Sequence, residues 1–407
     1  AASQDVVIDA YRTDLLAACE RGLGSSLNVL GYRLAMILSG GVALIWVDPS
    51  NATGPGEGWT WPQVYRFMAG LMAAAAVLSA IALPRVRSVG DRSSVARQDL
   101  LGFLALLAAV AVGFLVSERL GPPIAHALLS PWFDASPMAA SLKTKWTDLL
   151  ALLLGLAFTL PLAAWAARAA KFQTLLGGLN SYFSQRGAAA FLAFIVLYKL
   201  GDAFAGSLMT PFLLTSMAFS PAEVGVVNKL IGLWLTIGGA LVGGLLMLKL
   251  GLWRALLLFG VLQMLSNLGF WWLAVNGKGV LPGFVLPPFD WGFVKLAHAT
   301  DIDGGLLMVI AAENLSSGMG TAAFVAFLMS LCNQRYTATQ YALLSAFASV
   351  GRVWVGPLAG VMVEAVGWPT FFIVSTVVAL PALVMLWWMR DAVRKLEVDP
   401  NAPMTDD

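Results

Sequence analysis

Apolar runs of about twenty residues recur along this chain, and they restrict its possible folds more than any other feature. A helix of that length crosses a hydrocarbon core of about 30 Å, and in lipid only helices and closed barrels satisfy every backbone hydrogen bond. The runs lack the alternation of polar and apolar residues that barrel strands show. With 59% hydrophobic and only 12% charged residues, the chain is predicted to be an all-α membrane protein. We predict about eleven spans, at 1–18, 22–47, 63–84, 99–117, 147–168, 188–215, 223–249, 252–275, 304–331, 338–364 and 368–389.

Lysines and arginines in the predicted connections are divided unevenly between the two sides of the membrane. Connections on one side carry fourteen of them: Arg21, Arg85, Arg87, Arg92, Arg97, Arg168, Lys171, Arg186, Lys249, Arg254, Arg335, Arg390, Arg394 and Lys395. Connections on the other side carry five: Arg119, Lys143, Lys145, Lys278 and Lys295. Because positive residues concentrate on the cytoplasmic side of a membrane, we predict that the first side and the C-terminal tail are cytoplasmic.

Two predicted spans, 22–47 and 338–364, resemble each other when the chain is shifted by 319 residues. The matched pairs are Ser26 with Ser345, Arg33 with Arg352, Gly41 with Gly360, and Val42 with Val361. Parallel repeats of this kind are typical of the major facilitator superfamily, in which two six-span halves enclose a central site. The repeat therefore predicts a major facilitator helical bundle.

The repeat also predicts how the chain is divided. We expect the remainder of an N-terminal half at 1–84, a central linker with two inserted spans at 85–187, a six-span C-terminal half at 188–389 and a cytoplasmic tail at 390–407. Three spans precede 304–331 in the second half, but none precedes its counterpart at the start of the chain. We therefore expect that three core helices are missing before Ala1.

Three polar or proline-containing segments of the linker, at 85–98, 118–146 and 169–187, are predicted to be connections. The segment 276–303, rich in glycine, proline and aromatic residues, is predicted to be an outer loop. It is long enough to cover the external mouth, although solvation alone would explain its composition. Paired glycines at Gly238 and Gly239 are expected to let helices approach closely.

Ionisable residues inside membrane spans are costly and therefore mark candidate functional sites. In the first span Asp5, Asp9 and Arg12 follow one another at helical spacing and share one face, and Gln4 lies beside Asp5. A carboxyl group among apolar neighbours takes up a proton readily, so Asp5 is the predicted proton-coupling residue. In the alternative, Asp9 and Arg12 form an ion pair near the cytoplasmic end, and Asp5 is a passive residue of a water-filled vestibule.

Other polar residues inside predicted spans are expected to contact substrate. Lys199 and Asp202 lie one helical turn apart, and they either bind a charged substrate or neutralise each other. Lys229 is expected to meet a substrate carboxylate, and Glu313 to take up a proton or pair with a lysine, with structural pairing as the alternative for each. The predicted substrate-binding residues are Gln4, Asp9, Lys199, Asp202, Asn228, Lys229, Glu313 and Asn314.

Several classes of function lack their sequence signals. No glycine-rich G-x-x-x-x-G-K-[ST] loop is present to bind ATP. His126 and His298 fall in predicted outer loops, and Cys19 and Cys332 fall near the cytoplasmic ends of spans, which argues against a metal site or a structural disulfide. The acids are scattered over separate spans, and a net charge of +2 without a basic aromatic patch argues against a nucleic-acid partner. We therefore expect no enzyme, no cofactor and no metal, and a monomer in contact with lipid.

Six stretches of the chain closely resemble AmpG-type muropeptide permeases. They are S-Q-D-V-V-I-D-A-Y-R-T-D (Ser3 to Asp14), E-R-G-L-G-S-S-L-N-V-L-G-Y-R (Glu20 to Arg33), L-Y-K-L-G-D-A-F-A (Leu197 to Ala205), E-V-G-V-V-N-K (Glu223 to Lys229), A-E-N-L-S-S-G-M-G-T-A-A-F-V-A (Ala312 to Ala326) and Y-T-A-T-Q-Y-A-L-L-S-A (Tyr336 to Ala346). The agreement leaves out 85–187 and 276–303. The Gln-Asp motif is less specific than the later stretches, since acetyl-CoA and folate transporters contain a similar one.

The resemblance implies proton-driven uptake of anhydro-muropeptides across the bacterial inner membrane. These are GlcNAc linked to anhydro-MurNAc with a short peptide, and their import serves peptidoglycan recycling. In hosts with an inducible β-lactamase, the resemblance also implies a role in antibiotic resistance. The acidic site of the family falls on Asp5, with Gln4 beside it. This chain departs from the family pattern where its two extra spans interrupt the middle.

Two alternatives stay open at this stage. The first is a related carrier for acetyl-CoA or another organic anion. The second is a membrane enzyme that acts on lipid-linked sugars.

Overall fold

The computed structural model describes residues 2–17, 20–36, 59–84, 96–135, 140–185, 187–290, 295–296, 299–333 and 336–398. The helices are α1 (Ala2–Leu15), α2 (Arg21–Met36), α3 (Trp61–Ala82), α4 (Ala96–Ala135), α5 (Ala140–Ala169), α6 (Gln173–Phe183), α7 (Ala188–Pro211), α8 (Pro221–Val224), α9 (Gly232–Asn276), α10 (Gly304–Ser330), α11 (Thr337–Trp388) and α12 (Arg390–Val398). Two π-helical segments, Phe212–Ser216 and Gly225–Ile231, follow α7 and α8. The described part is overwhelmingly helical, which confirms the predicted helical class.

Six helical stretches within the described residues are long and apolar enough to cross a membrane. They are Trp61–Ala82, Arg97–Ala135, Leu142–Ala169, Ala188–Ser216, Gly225–Asn276 and Leu358–Trp388. The chain is thus a multi-pass membrane protein. The predicted span 1–18 corresponds to α1, which has only 14 residues, and the predicted span 304–331 corresponds to α10, which is not one of the six stretches. The predicted number of eleven spans stays a prediction, as does the internal repeat, because 37–47 and the side chain of Arg352 lie outside the described part.

Backbone breaks divide two of the long helices. Gly251 in α9 has φ 75° and ψ 171°, and Gly367 in α11 has φ 75° and ψ 167°. Residues with a Cβ atom rarely adopt this backbone conformation, whereas glycine adopts it without steric cost. Each break lies in a gap predicted between two spans, at 250–251 and at 365–367. α9 and α11 are therefore each two helices joined at a glycine.

The predicted connection at 118–146 is wrong for most of its length. It was assigned from its prolines, but α4 continues to Ala135 with Pro122, Pro123 and Pro131 inside it, and α5 begins at Ala140. Proline is tolerated in membrane helices because neighbouring groups can satisfy the freed carbonyls. α4 and α5 also pack closely, since a Cβ at Gly113 would lie 2.6 Å from the Thr159 hydroxyl. His126, predicted to be in an outer loop, therefore lies within α4.

The predicted connection at 169–187 is also wrong in part, because it contains α6. Two contacts hold this helix in place. The Thr174 hydroxyl donates a hydrogen bond to Asp99 of α4, and the Gln340 amide of α11 donates one to the Gly178 carbonyl at 3.2 Å. These partners are 75 and 162 residues distant in sequence, so local composition did not reveal them. Residues 85–95 and Arg186 of the predicted connections lie outside the described part.

The hydrophobic core lies among α7, α9, α10 and α11. Its largest buried side chains are aromatic and form two clusters, Phe191, Phe194, Phe259 and Phe327 in one and Phe212, Phe270, Phe371 and Phe372 in the other. The first half of α9 packs against α10 through glycine. A Cβ at Gly239 would overlap the carbonyl oxygen of Leu315, and one at Gly318 would overlap that of Thr236. The close helix approach predicted at Gly239 is confirmed, whereas Gly238 faces open space.

The segment between α9 and α10 contains four short strands. β1 (Phe284–Leu286) pairs antiparallel with β4 (Thr300–Ile302), and β2 (Phe289–Asp290) pairs antiparallel with β3 (Lys295–Leu296). His298 lies outside the described part. Two paired ribbons thus occupy the predicted outer loop.

The first residues of the predicted cytoplasmic tail form α12. Val393 of this helix is fully buried in the core, and the Arg394 guanidinium lies 4.7 Å above the ring of Trp253 in α9. Residues 399–407 of the tail lie outside the described part. The beginning of the tail is therefore packed against the helical core.

Candidate functional site

A buried to half-buried group of ionisable side chains lies between α7, α9 and α10. Lys199 and Asp202 of α7 are one turn apart, with 3.8 Å between Nζ and Oδ2, and their side chains are 6% and 16% exposed. The hydroxyl of Ser266 in α9 donates a hydrogen bond to the carboxylate of Glu313 in α10. Glu313 lies on the same helix as Phe324, whose ring the Lys199 ammonium contacts. We call Lys199, Asp202, Ser266 and Glu313 the central cluster.

Aromatic packing fixes the position of Lys199. Its ammonium lies 5.2 Å above the ring of Phe324 in α10, at a distance suited to a cation–π interaction. The Tyr198 ring stacks on the ring of Phe324, with 5.4 Å between centroids, and the Tyr198 hydroxyl donates a hydrogen bond to the Leu256 carbonyl at 3.1 Å. α7, α9 and α10 are thus held together next to the ionisable groups.

Three polar residues of α9 were missed in the sequence prediction. Gln263, Ser266 and Asn267 lie at helical spacing on one face of the second half of α9, and all three are buried. No described group accepts a hydrogen bond from Gln263 Nε2. Gln263 and Asn267, with Tyr198 and Asp202, line a small cleft whose volume of about 10 Å³ is close to that of one water site. The three-residue polar stripe in an otherwise apolar run was the sequence signal that would have revealed them.

Asn314 binds α10 to the first half of α9. Its Oδ1 accepts a hydrogen bond from the Thr236 hydroxyl at 2.9 Å, and its Nδ2 donates to the Ile310 carbonyl at 2.9 Å. The absence of a side chain at Gly232 leaves the space that the Asn314 amide occupies. Asn314 therefore has a packing role, and its predicted contact with substrate stays a prediction.

The structure places the other predicted residues as follows. Asn228 is half-buried in the π-helical segment Gly225–Ile231, and the side chains of Lys229 in that segment and of Gln4 in α1 lie outside the described part. Asp5 lies on α1 with its side chain exposed. Within the described residues, no group of three or more His, Cys, Asp or Glu side chains is arranged to hold a metal ion.

A second polar group joins α1 to α11. Arg12 Nη2 donates hydrogen bonds to Asp9 Oδ1 at 2.7 Å and to the Tyr341 hydroxyl at 2.9 Å. The Thr337 hydroxyl donates to Asp14 Oδ1 at 2.6 Å. The ion pair between Asp9 and Arg12, one of the two sequence interpretations, is therefore present. These contacts lie at the end of α1 predicted to be cytoplasmic.

Contacts beside this group also involve α2 and α10. Arg21 Nη1 donates a hydrogen bond to the Ser330 hydroxyl at 3.4 Å, and the Ser25 hydroxyl donates to the Ala322 carbonyl at 2.8 Å. The thiol of Cys332 is buried nearby, and burial raises its pKa, so it stays protonated. The predicted absence of a disulfide at Cys19 is untested, because Cys19 lies outside the described part.

Tyr341→Phe is expected to destabilise the protein by about 2 kcal/mol, because the buried Arg12 guanidinium loses a hydrogen-bond acceptor. The measurement is the free energy of unfolding, obtained by titrating the protein from mild detergent into dodecyl sulfate. Tyr32→Phe is the control, since Tyr32 is exposed. Equal stability of the two variants would contradict the role given to the Arg12 bond.

A third polar group binds the segment 277–303, which connects α9 and α10, to the neighbouring helices. Glu223 of α8 is 1% exposed, and its Oε2 lies 2.8 Å from Lys278 Nζ. Its Oε1 accepts a hydrogen bond from the backbone N–H of Asp303 at 2.8 Å. The Asp303 carboxylate in turn accepts from Leu306 N, which caps α10, and from Gly279 N. Both ends of the segment are thus fixed to the helices.

Comparison with known proteins identifies the relatives of this chain. No family model matches it. The anhydromuropeptide permease of Escherichia coli K12 is 37% identical over 402 residues, which are 98% of this chain and 60% of that protein. An uncharacterized protein of Haemophilus influenzae is 31% identical over 392 residues, which are 95% of this chain and 68% of that protein. These relatives confirm the resemblance to AmpG-type permeases that the sequence predicted.

Further AmpG-type relatives match part of the chain. The putative transporter AmpG 4 of Rickettsia conorii is 32% identical over 220 residues, which are 54% of this chain and 47% of that protein. The chain spans about 60% of the length of the Escherichia coli relative. The aligned span covers nearly the whole chain, including most of 85–187, which the resembling stretches left out. The named relatives are permeases or transporters, and these names fit the prediction of a transporter that is not an enzyme.

Proposed function

We propose that this protein imports anhydro-muropeptides, GlcNAc–anhydro-MurNAc-peptides, from the periplasm to the cytoplasm for peptidoglycan recycling. The observation that carries the proposal is 37% identity over 402 residues to a relative named anhydromuropeptide permease. Buried polar side chains between apolar helices support it, because such residues in membrane proteins line the paths of polar substrates and ions. In a host with an inducible β-lactamase, the imported material would act on its induction.

The proposed mechanism is alternating access in a major facilitator bundle of the inner membrane. Two helical halves rock about a central site, driven by the proton gradient, with the C terminus in the cytoplasm and a monomer as the working unit. The contacts that join α1 and α2 to α10 and α11 support a closed state at the predicted cytoplasmic end. Asp5 is the proposed proton-coupling residue on α1, and Lys199, Asp202, Asn228, Lys229 and Asn314 are proposed to face the polar path.

Uptake into liposomes tests the function. The purified protein is reconstituted, and a labelled GlcNAc–anhydro-MurNAc-tripeptide is supplied outside with and without an inwardly directed proton gradient. We expect accumulation of unmodified substrate that depends on the gradient. Preferential exchange of acetyl-CoA would favour the organic-anion carrier, and chemical alteration of a lipid-linked sugar would favour the enzyme. Either result, without muropeptide uptake, would overturn the proposal.

Asp5→Asn is expected to abolish gradient-driven uptake while the protein stays in the membrane at its normal amount. The physical reason is that an amide cannot bind and release the coupled proton. Asp391→Asn is the control, since Asp391 is exposed on α12 and its ion pair with Arg390 lies at the surface. Full gradient-driven uptake by Asp5→Asn would remove Asp5 from proton coupling.

A further inference from the structure

The charges of the central cluster do not balance among the side chains that the structure describes there. Asp202 and Glu313 are two carboxylates, and Lys199 is one ammonium. The neighbouring residues Ser266, Gln263 and Asn267 of α9 are neutral. A net negative charge inside a membrane protein is costly unless it is paired or neutralised by a proton. One carboxyl group of this cluster is therefore expected to hold a proton in this conformation.

The contacts distinguish the two carboxyl groups. Asp202 lies one helical turn from Lys199, and that spacing brings its Oδ2 to 3.8 Å from the ammonium. Glu313 lies on a different helix, and its described hydrogen bond comes from the neutral hydroxyl of Ser266. A carboxylate is stabilised more by an ammonium than by a hydroxyl. The proton therefore belongs on Glu313 while Lys199 is paired with Asp202.

The helices packed against α10 carry the following titratable groups in the described part. α2 contributes Arg21, which is bonded to Ser330, and Arg33. α7 contributes Lys199, Asp202 and the phenol of Tyr198, and the second half of α9 contributes no ionisable side chain to the cluster. The segment Gly225–Ile231 also packs against α10 and carries Lys229, whose side chain lies outside the described part. A small cleft beside Asp202, Gln263 and Asn267 borders the cluster.

We propose that Glu313 carries a coupled proton within the unit formed by α7, α9, α10 and α11, with Lys199 and Asp202 as its positioning residues. The proposal rests on the proposed transport function and deepens it. When the Glu313 carboxyl group releases its proton, the resulting carboxylate competes with Asp202 for the Lys199 ammonium. Since Lys199 and Glu313 lie on different helices, this exchange of partners pulls α7 and α10 together. Protonation is thereby linked to the relative position of two helices.

Transport by Glu313→Gln provides the first test, with two assays in liposomes. Gradient-driven accumulation of labelled muropeptide should be lost, because the amide cannot release a proton. Exchange of labelled for unlabelled muropeptide without a gradient should continue at the wild-type rate, because that step needs no proton release. Glu364→Gln is the matched control, since Glu364 pairs with Lys145 at the surface, and it should keep both activities.

The possible results separate the two proposals. Undiminished accumulation by Glu313→Gln would overturn the role of Glu313, and so would loss of both activities in a correctly folded variant, which would make Glu313 a substrate contact. Absence of muropeptide uptake by the wild-type protein would instead overturn the transport function.

A chemical test uses only the wild-type protein and does not depend on transport. Dicyclohexylcarbodiimide reacts with a protonated carboxyl group in apolar surroundings: the carboxyl oxygen bonds to the central carbon, the proton passes to nitrogen, and rearrangement leaves a stable N-acylurea. Mass spectrometry of the digested protein should find the adduct on Glu313 and not on Glu364, with less labelling as the pH rises. Labelling of Asp202 or Asp5 with Glu313 unmodified would overturn the assignment.

Discussion

Gly239→Ala is expected to destabilise the protein by about 3 kcal/mol or more, whereas Gly238→Ala one residue earlier is expected to have no destabilising effect. A Cβ at Gly239 would overlap the carbonyl oxygen of Leu315 and lie 3.0 Å from its carbonyl carbon. Both are backbone atoms of α10, so no rotamer change relieves the clash. The two helices would have to separate, and the contacts along their length would weaken.

Gly238 is a matched control because it lies in the same helix with no atom within 4 Å of its Cβ position. Alanine at this position removes only the extra conformational freedom of glycine. That change leaves the stability of a helix unchanged or raises it slightly. The measurement is the thermal unfolding temperature in detergent, with size-exclusion chromatography to detect aggregation. Equal unfolding temperatures for the two variants would show that α9 and α10 do not approach as closely as the structure has them.

Gly318→Ala is expected to behave like Gly239→Ala, because its Cβ would overlap the Thr236 carbonyl oxygen and lie 2.8 Å from Ala240 N. The two substitutions act on the same helix pair from opposite sides. Their effects should therefore not add, since the first substitution already separates the helices. A fully additive loss in the double variant would place the two glycines in different contacts.

Glu223→Ala is expected to release the segment between α9 and α10 and to destabilise the protein by about 2 kcal/mol. The buried carboxylate holds the Lys278 ammonium on one oxygen and the Asp303 N–H on the other, so its removal leaves two donors without this acceptor. This expected destabilisation is smaller than the destabilisation caused by breaking a fully buried ion pair, because Lys278 is 43% exposed and water screens its charge. Hydrogen exchange of residues 277–290 measures the release directly.

Two variants separate the contributions of the ion pair and the backbone hydrogen bond. Lys278→Gln removes the ammonium but leaves the bond from Asp303 N to Glu223, so a smaller increase in exchange is expected. Glu364→Ala serves as the control for loss of a surface carboxylate. If Glu223→Ala exchanged no faster than Glu364→Ala in this segment, Glu223 would not be its clamp.

Much of the helical framework was predictable because its causes are local. Apolar runs of membrane-spanning length predict helices, and the breaks at Gly251 and Gly367 lie in predicted gaps because only glycine readily adopts that backbone conformation. Proline was a misleading signal at Pro122, Pro123 and Pro131. Its local effect is to end helices in water, but packing of α4 against α5 in an apolar environment outweighs that effect.

Part of the candidate site was also predictable, again where helical spacing decides a contact. The ion pairs of Asp9 with Arg12 and of Lys199 with Asp202 each join residues one helical turn apart, so either could be predicted from a single span. The polar stripe of Gln263, Ser266 and Asn267 carried the same kind of signal in α9. It lies in a stretch of α9 that contains no ionisable residue, whereas the predicted residues Gln4, Asn228 and Asn314 each adjoin one.

The sequence by itself determined that this protein is helical, membrane-embedded and related to AmpG-type permeases, since run length, charge placement and residue identity are all properties of the linear chain. The tertiary structure alone decided which groups meet: Ser266 with Glu313, Arg12 with Tyr341, and Glu223 with Lys278. These partners lie on different helices and are 47, 329 and 55 residues apart. Hydrogen bonds and ion pairs act over a few ångströms, so they depend on how the helices rotate and pack against one another. Glycines such as Gly239 control that packing, and the sequence of a single span does not determine it.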